Sequence, residues 1–180
     1  LDSDAGEKLT SYYHPDFTSL HLAWSPREIP IDKKKIRFRK VVIGDYVARF
    51  GQGLALWKAF PVSFFGTPSS LSKRGSAITP YTSTDESNFL RGAGVTFGSK
   101  DMECSLFASY NGVDARIVGD SCYTSIITNG LHITDAERAT RNSMHEYLFG
   151  SHFSYDFNRL QLGVTALCYG YDKCNARRIR

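Results

Sequence analysis

No run of about 18 apolar residues occurs anywhere in the 180-residue chain, so no membrane-crossing helix is expected. Catalytic signatures are missing too. The five histidines, His14, His21, His132, His145 and His152, form no HExxH zinc pattern. No GxSxG string offers a nucleophile elbow. The glycine pairs Gly51-Gln52-Gly53 and Gly92-Ala93-Gly94 stand apart from any strand-to-helix junction, which reads as strand or bulge glycine and not as a phosphate cradle. His145-Glu146 and Asp85-Glu86 read as solvated loop pairs. No catalytic residue, metal ligand, cofactor or small-molecule substrate is predicted, and the chain is not expected to be an enzyme.

A large excess of charge of one sign is missing, with 22 Lys and Arg against 18 Asp and Glu. The net charge is +4, and nucleic-acid modules usually carry a denser basic patch. The densest basic run, Lys33, Lys34, Lys35, Arg37, Arg39 and Lys40, reads as a solvated turn, with a phosphate-binding site as the lesser alternative. Cysteine numbers four, without zinc-type or redox-type spacing. Cys104 and Cys168 read as small apolar fillers, and Cys122 and Cys174 as incidental thiols. The alternative for the second pair is a disulfide, which would require an oxidising envelope compartment.

Aromatic residues are plentiful: ten Tyr and twelve Phe against two Trp. Rings suit pleated surfaces and membrane interfaces. Their placement follows the period of two that marks a strand with two unlike faces. About six strands are predicted, near 17–25, 36–51, 88–98, 102–117, 147–157 and 160–171. In the first, Leu20, Leu22 and Trp24 share a face. In the second, Val42, Tyr46, Ala48 and Phe50 share one face, and Asp45 and Arg49 the other. In the fourth, Met102, Cys104, Leu106, Ala108 and Tyr110 align opposite Glu103, Ser105, Ser109 and Asn111, with Phe107 the exception among these. Tyr147, Phe149, Phe153, Tyr155 and Phe157 align in the fifth, and Leu160, Leu162, Val164, Ala166 and Cys168 in the sixth. Arg91 breaks the apolar set Phe89, Ala93, Val95 and Phe97, either by snorkelling at an interface or through a bulge.

Connections alternate in length. Pro26–Lys35, Ser99–Asp101 and Asn158–Arg159 are short, whereas Gln52–Ser87 and Val118–Glu146 are long. Thr134 and Glu137 have capping-box spacing, which predicts a short helix at about Asp135 to Asn142 inside the second long loop. Short turns alternating with long loops are the pattern of outer-membrane barrels. A soluble β-sandwich also alternates, but its outward faces should be rich in Lys, Glu and Thr, where these are mainly Gly, Ser, His and Asn.

The expectation is therefore an all-β antiparallel meander, part of a single barrel domain spanning 1–180, in the outer membrane. Tyr147, Phe149, Phe153, Tyr155, Leu160, Leu162 and Val164 are the lipid-facing candidates. Asp45 and Arg49 are the pore-lining candidates, able to pair along one strand. Six strands are too few to close such a barrel, and the chain opens at Leu1 and closes on Arg177, Arg178, Ile179 and Arg180, so it reads as a section of a larger protein.

Four strings, in order, carry a family resemblance: SDAGE near the start, VVIGDYVARFGQGLALW from Val41, ITPYTSTDESNFLRGAG from Ile78, and GLHITDAE from Gly130. Together they resemble the barrel part of large Bacteroidota envelope proteins known as helix-hairpin-helix domain-containing proteins, similar to competence-type DNA receptors. The specific parts are Gly44, Asp45, Tyr46, Phe50, Gly51, Gln52 and Gly53, then Pro80, Tyr81, Thr84, Asp85 and Glu86. The resemblance implies DNA contact through modules outside this segment. The partners it leaves for these residues are membrane lipid and other envelope proteins, in a conduit or anchor for transport. The alternatives are a plugged structural barrel that docks another envelope component and a soluble β-sandwich binding module.

Overall fold

The computed structural model describes residues 19–26, 29–30, 36–51, 56, 77–83, 88–119, 121–128, 134–158 and 160–176. The chain is all-β, and its strand pairing is almost entirely antiparallel. One sheet dominates. Its main path runs β1 (His21–Trp24), β3 (Arg37–Arg49), β5 (Leu90–Gly98), β6 (Met102–Val113), β9 (Met144–Phe157) and β10 (Leu160–Tyr171). The short strands β2 (Ile29–Pro30) and β4 (Ala77–Pro80) pair with the free stretches of β3. Among the described residues β1 and β10 are the two edges, and they do not pair with each other.

Local chemistry explains the hairpins. The Ser99 amide donates to the Met102 carbonyl at 2.8 Å and closes the turn between β5 and β6. Asn158 turns β9 into β10 at a φ of +66°, a conformation Asn tolerates better than most residues. The Asp156 amide donates to the Asp101 carbonyl at 2.8 Å, so these two turns lie side by side at one end of the sheet.

The long connections hold the other end. β7 (Ala115–Val118), β8 (Cys122–Ile126) and β11 (Cys174–Asn175) form a second, three-stranded sheet, in which β11 runs parallel to β8. Ala115, Tyr123 and Met144 are its buried core. The helix α1 (Asp135–Arg138) lies between β8 and β9, shorter than expected. Its capping box is reciprocal: the Thr134 amide donates to Glu137 Oε2 at 2.8 Å, and the Glu137 amide to Thr134 Oγ1 at 3.2 Å.

Two expected boundaries are corrected. The strand predicted over 102–117 stops at Val113. Asp114 Oδ1 accepts from the Asn142 amide at 2.8 Å, and the Ala115 amide turns to the Thr140 carbonyl and Ser143 Oγ. Those bonds redirect the backbone, so 115–118 joins the second sheet. The long connections also contain strands, β4 in the first and β8 in the second, whose partners lie far away in sequence.

Candidate functional site

Strand register assembles one apolar face across the main sheet. Leu22 pairs with Ile43, Ile43 with Ala93, Ala93 with Ala108, Ala108 with Phe149 and Phe149 with Cys168. One step along the strands, Trp24, Val41, Val95, Leu106, Ser151 and Ala166 form a second such row. A third runs Phe97, Cys104, Phe153 and Val164. Side chains on one face alternate along each strand, so these rows share a side. That side is exposed: Phe149 is 56%, Leu162 52% and Val164 70% accessible. All seven lipid-facing candidates, Tyr147, Phe149, Phe153, Tyr155, Leu160, Leu162 and Val164, are exposed on it. Tyr110 pairs with Tyr147 near one end and Met102 with Tyr155 near the other.

The opposite face is packed. Val42, Tyr46, Ala48, Phe50, Leu56, Ile78, Leu90, Phe107 and Leu148 form one buried cluster. Phe50, beyond the end of β3, stacks on Phe107 of β6 at 5.2 Å and on His152 of β9 at 4.5 Å. Tyr46 reaches across β5 to donate its hydroxyl to the Ala108 carbonyl at 2.8 Å. The C-terminal part of β3 therefore leans over the inner side of its neighbours. Gly150 makes room, because a Cβ there would collide with the Phe107 ring. Phe107 is thus no irregularity of the alternation but the floor beneath Phe50. Each buried ring contributes roughly 1.5–3 kcal/mol. The polar residues of this face pair with one another. The hydroxyls of Thr96 and Ser105 bond at 2.9 Å, and His152 Nδ1 with Thr165 Oγ1 at 2.8 Å.

Asp45 requires a correction. Its carboxylate accepts from Arg91 Nε at 2.7 Å and Arg91 Nη2 at 3.1 Å, across to β5, a partner the sequence did not suggest. It also accepts from the Leu20 amide at 3.1 Å and is 2% accessible. Asp45 and Arg91 are register partners on the side of Ile43 and Ala93. A lipid-facing Phe149 and a pore-lining Asp45 cannot both hold, since register puts them on one side. Asp45 therefore lies on the side of the exposed apolar rows. Arg49 sits opposite Ala77 of β4, at the stretch of β3 bordered by that strand. Arg91 explains its own misfit: the Asp45 partner and the Phe89 ring, 5.1 Å from the guanidinium carbon, hold it among apolar residues.

Gly44 has a φ of +100°, and the Leu20 carbonyl occupies the place of a side chain there. That close approach brings Leu20 onto Asp45, giving the Gly44-Asp45-Tyr46 string a structural use. Tyr81 packs with Val47 and Phe89, Pro80 is paired with Tyr46, and Gly51 is exposed. Gln52, Gly53, Thr84, Asp85 and Glu86 lie outside the described residues.

At the long-loop end Cys122 and Cys174 form a disulfide, which corrects their reading as incidental thiols. Fifty-two residues separate them, and strand pairing of β11 with β8 brings them into register. Spacing alone gave no signal for it. Cys104 and Cys168 are free thiols. Next to this sheet, the His145 amide and ring bond Asp172 at 2.9 and 3.2 Å. Slight burial opposes the Asp172 charge, but these bonds and nearby Lys173 hold its carboxyl below the ordinary range.

No cluster of three or more His, Cys, Asp or Glu fit to hold a metal occurs among the described residues. The class defined by fold and faces is an all-β protein whose dominant antiparallel sheet packs one side and exposes an apolar other. No family model, curated protein or solved structure matches the chain.

Proposed function

We propose that this chain is a section of the wall of an outer-membrane β-barrel, with its apolar face turned to lipid. The observation that carries the reading is the exposed apolar row Leu22–Ile43–Ala93–Ala108–Phe149–Cys168, which crosses all six main strands. A soluble sheet would bury such a face, because monomers rarely expose apolar patches beyond a few hundred Å². The dimensions agree. From Tyr147 to Tyr155 the strand advances about 27 Å at ~3.4 Å per residue, or about 20 Å along the membrane normal at a tilt of ~40°, against an apolar band of about 25 Å. Every backbone group in lipid needs a partner, so further strands are expected on the edges of β1 and β10. The Cys122–Cys174 disulfide favours an oxidising envelope compartment.

Within this reading, the inner cluster around Phe50 favours an anchoring or scaffolding wall over an open conduit, with the long-loop end offered to another envelope component. Any DNA contact implied by the resemblance to helix-hairpin-helix envelope proteins belongs to modules outside these residues. The test uses the free thiol of Cys168. A polarity-sensitive fluorophore there, in a Cys104→Ala background and reconstituted vesicles, should emit in the blue and be quenched by lipids brominated on their acyl chains. The same probe on Gln161→Cys, with Cys168→Ala, should not respond. Equal responses would overturn the facing. Planar-bilayer recordings of the parent protein separate anchor from conduit, and steady ion conductance would favour the conduit.

A further inference from the structure

The packed face of the main sheet changes character along its strands. Register orders the residues of that face in rows, counted from the short turns to the long loops. Glu103, Ser154 and Gly163 form the first row, and Thr96, Ser105, His152 and Thr165 the second. Gly94, Phe107, Gly150 and Leu167 form the third. Ser109, Leu148 and Tyr169 follow in the fourth, then Asn111, Glu146 and Tyr171 in the fifth. Polar side chains thus stand towards both ends, and the third row between them has none. Neighbours fill the places of its two glycines: a Cβ on Gly94 would meet Ile78, and one on Gly150 the Phe107 ring. Phe50 covers this layer from β3, stacked on Phe107 and, in the second row, on His152. Leu148 joins the same buried cluster from the loop side. Solvent reaches the rows to either side, where Thr165 is part-exposed and Tyr169 is 68% exposed.

We infer that the layer of Phe50, Ile78, Phe107 and Leu167 is this section's share of a hydrophobic constriction, which seals the barrel interior against hydrated ions between two polar compartments. The inference rests on the membrane-wall reading and locates the block that makes the wall an anchor. An ion entering an apolar ring sheds its water and gains no partner in return, so such a ring closes by dewetting, without a moving lid. A core packed only for stability would carry its apolar layer on to the short turns. Here Glu103 and Ser154, two rows from Phe107, are part-exposed instead.

The experiment labels single cysteines along β10 in the parent protein, with Cys104→Ala and Cys168→Ala, reconstituted in vesicles. A small cationic methanethiosulfonate reagent is added outside, with glutathione trapped inside. Thr165→Cys and Tyr169→Cys flank the layer, and Leu167→Cys lies in it. In sealed molecules each flanking thiol reacts only where its own end faces the reagent. The labelled fractions of Thr165→Cys and Tyr169→Cys should therefore be complementary, and detergent should bring both to completion. Leu167→Cys should react about tenfold or more slowly, because a charged reagent loses its hydration there. Phe50→Gln should bring both flanking thiols to completion in intact vesicles and admit ion current in planar bilayers, while Phe50→Leu should stay sealed. The Cys168 probe is read in parallel. Complete labelling of both flanking thiols without Phe50→Gln overturns the constriction, and so does failure of both to react even in detergent. A leak in Phe50→Leu equal to that in Phe50→Gln overturns the dewetting mechanism. In each of these cases a probe still in lipid leaves the wall standing. A probe that stays in water overturns both readings. Should Phe50→Gln fail to fold, the labelling pattern with Phe50 in place decides by itself.

Discussion

Arg91 is the residue whose environment most constrains the molecule. Its guanidinium is half-exposed, while the carboxylate it holds is almost wholly buried. The two are not equivalent in loss. Arg91→Gln takes the guanidinium away from the buried Asp45 carboxylate, which keeps the bond from the Leu20 amide. Breaking a fully buried pair costs roughly 3–5 kcal/mol, and the partial exposure of Arg91 reduces this to about 2–3 kcal/mol. Asp45→Asn keeps an acceptor for Leu20 and lets Arg91 swing to water, at about 1 kcal/mol. Urea unfolding of the refolded protein in micelles should place Arg91→Gln below Asp45→Asn, and the reverse order would contradict the pairing. Arg91 and Phe107 were both exceptions to strand alternation in the sequence. Each marks a long-range contact, one to Asp45 and one to Phe50, that periodicity does not reveal.

Among the elements, β10 gives the sharpest test of facing. Leu162→Arg and Val164→Arg should each impair membrane assembly by about 2–4 kcal/mol if they lie near the bilayer midplane. Gln161→Arg, one residue away on the other side, should be milder, because its charge can stay hydrated. Heat-modifiability on gels after refolding into vesicles compares the three, and equal losses would sink the assignment. The second sheet has its own stake in Cys122–Cys174. This bond ties the short β11 to β8, and such cross-links contribute about 2–4 kcal/mol. Cys122→Ser or a reductant should therefore open the β7–β8–β11 end to protease while Met102–Val113 and Met144–Phe157 stay protected. Uniform digestion of both sheets would show that the disulfide holds more than the loop end. The Thr134–Glu137 capping box was legible because its partners are three residues apart. The disulfide was not, because its partners meet only through strand pairing.

For the molecule as a whole, the two faces set its solvent. One side of the main sheet is filled by its own side chains, and the other presents Ile43, Leu106, Phe149, Phe153 and Val164 as exposed apolar side chains. Among the described residues β1 and β10 are the sheet's two edges, and such edges are ready to join other chains. Expressed in water, the 180 residues should aggregate, and sizing with circular dichroism should recover ordered β-structure only in detergent or lipid. A monodisperse monomer that melts cooperatively in buffer would rule out the membrane wall.

Alternation of side chains was enough to establish the all-β class, the hairpins near Ser99 and Asn158, and the residues grouped with Phe149 and Val164. These are properties of neighbours a few positions apart, and a period of two is written in the residues themselves. Tertiary structure alone decided which side of β3 is covered, where Asp45 finds its partner, and that Cys122 meets Cys174. It also decided that 115–118 leaves the main sheet. A strand reads the same with either face inward. Only the register of the strands beside it, and the ring of Phe50 lying across them, selects one.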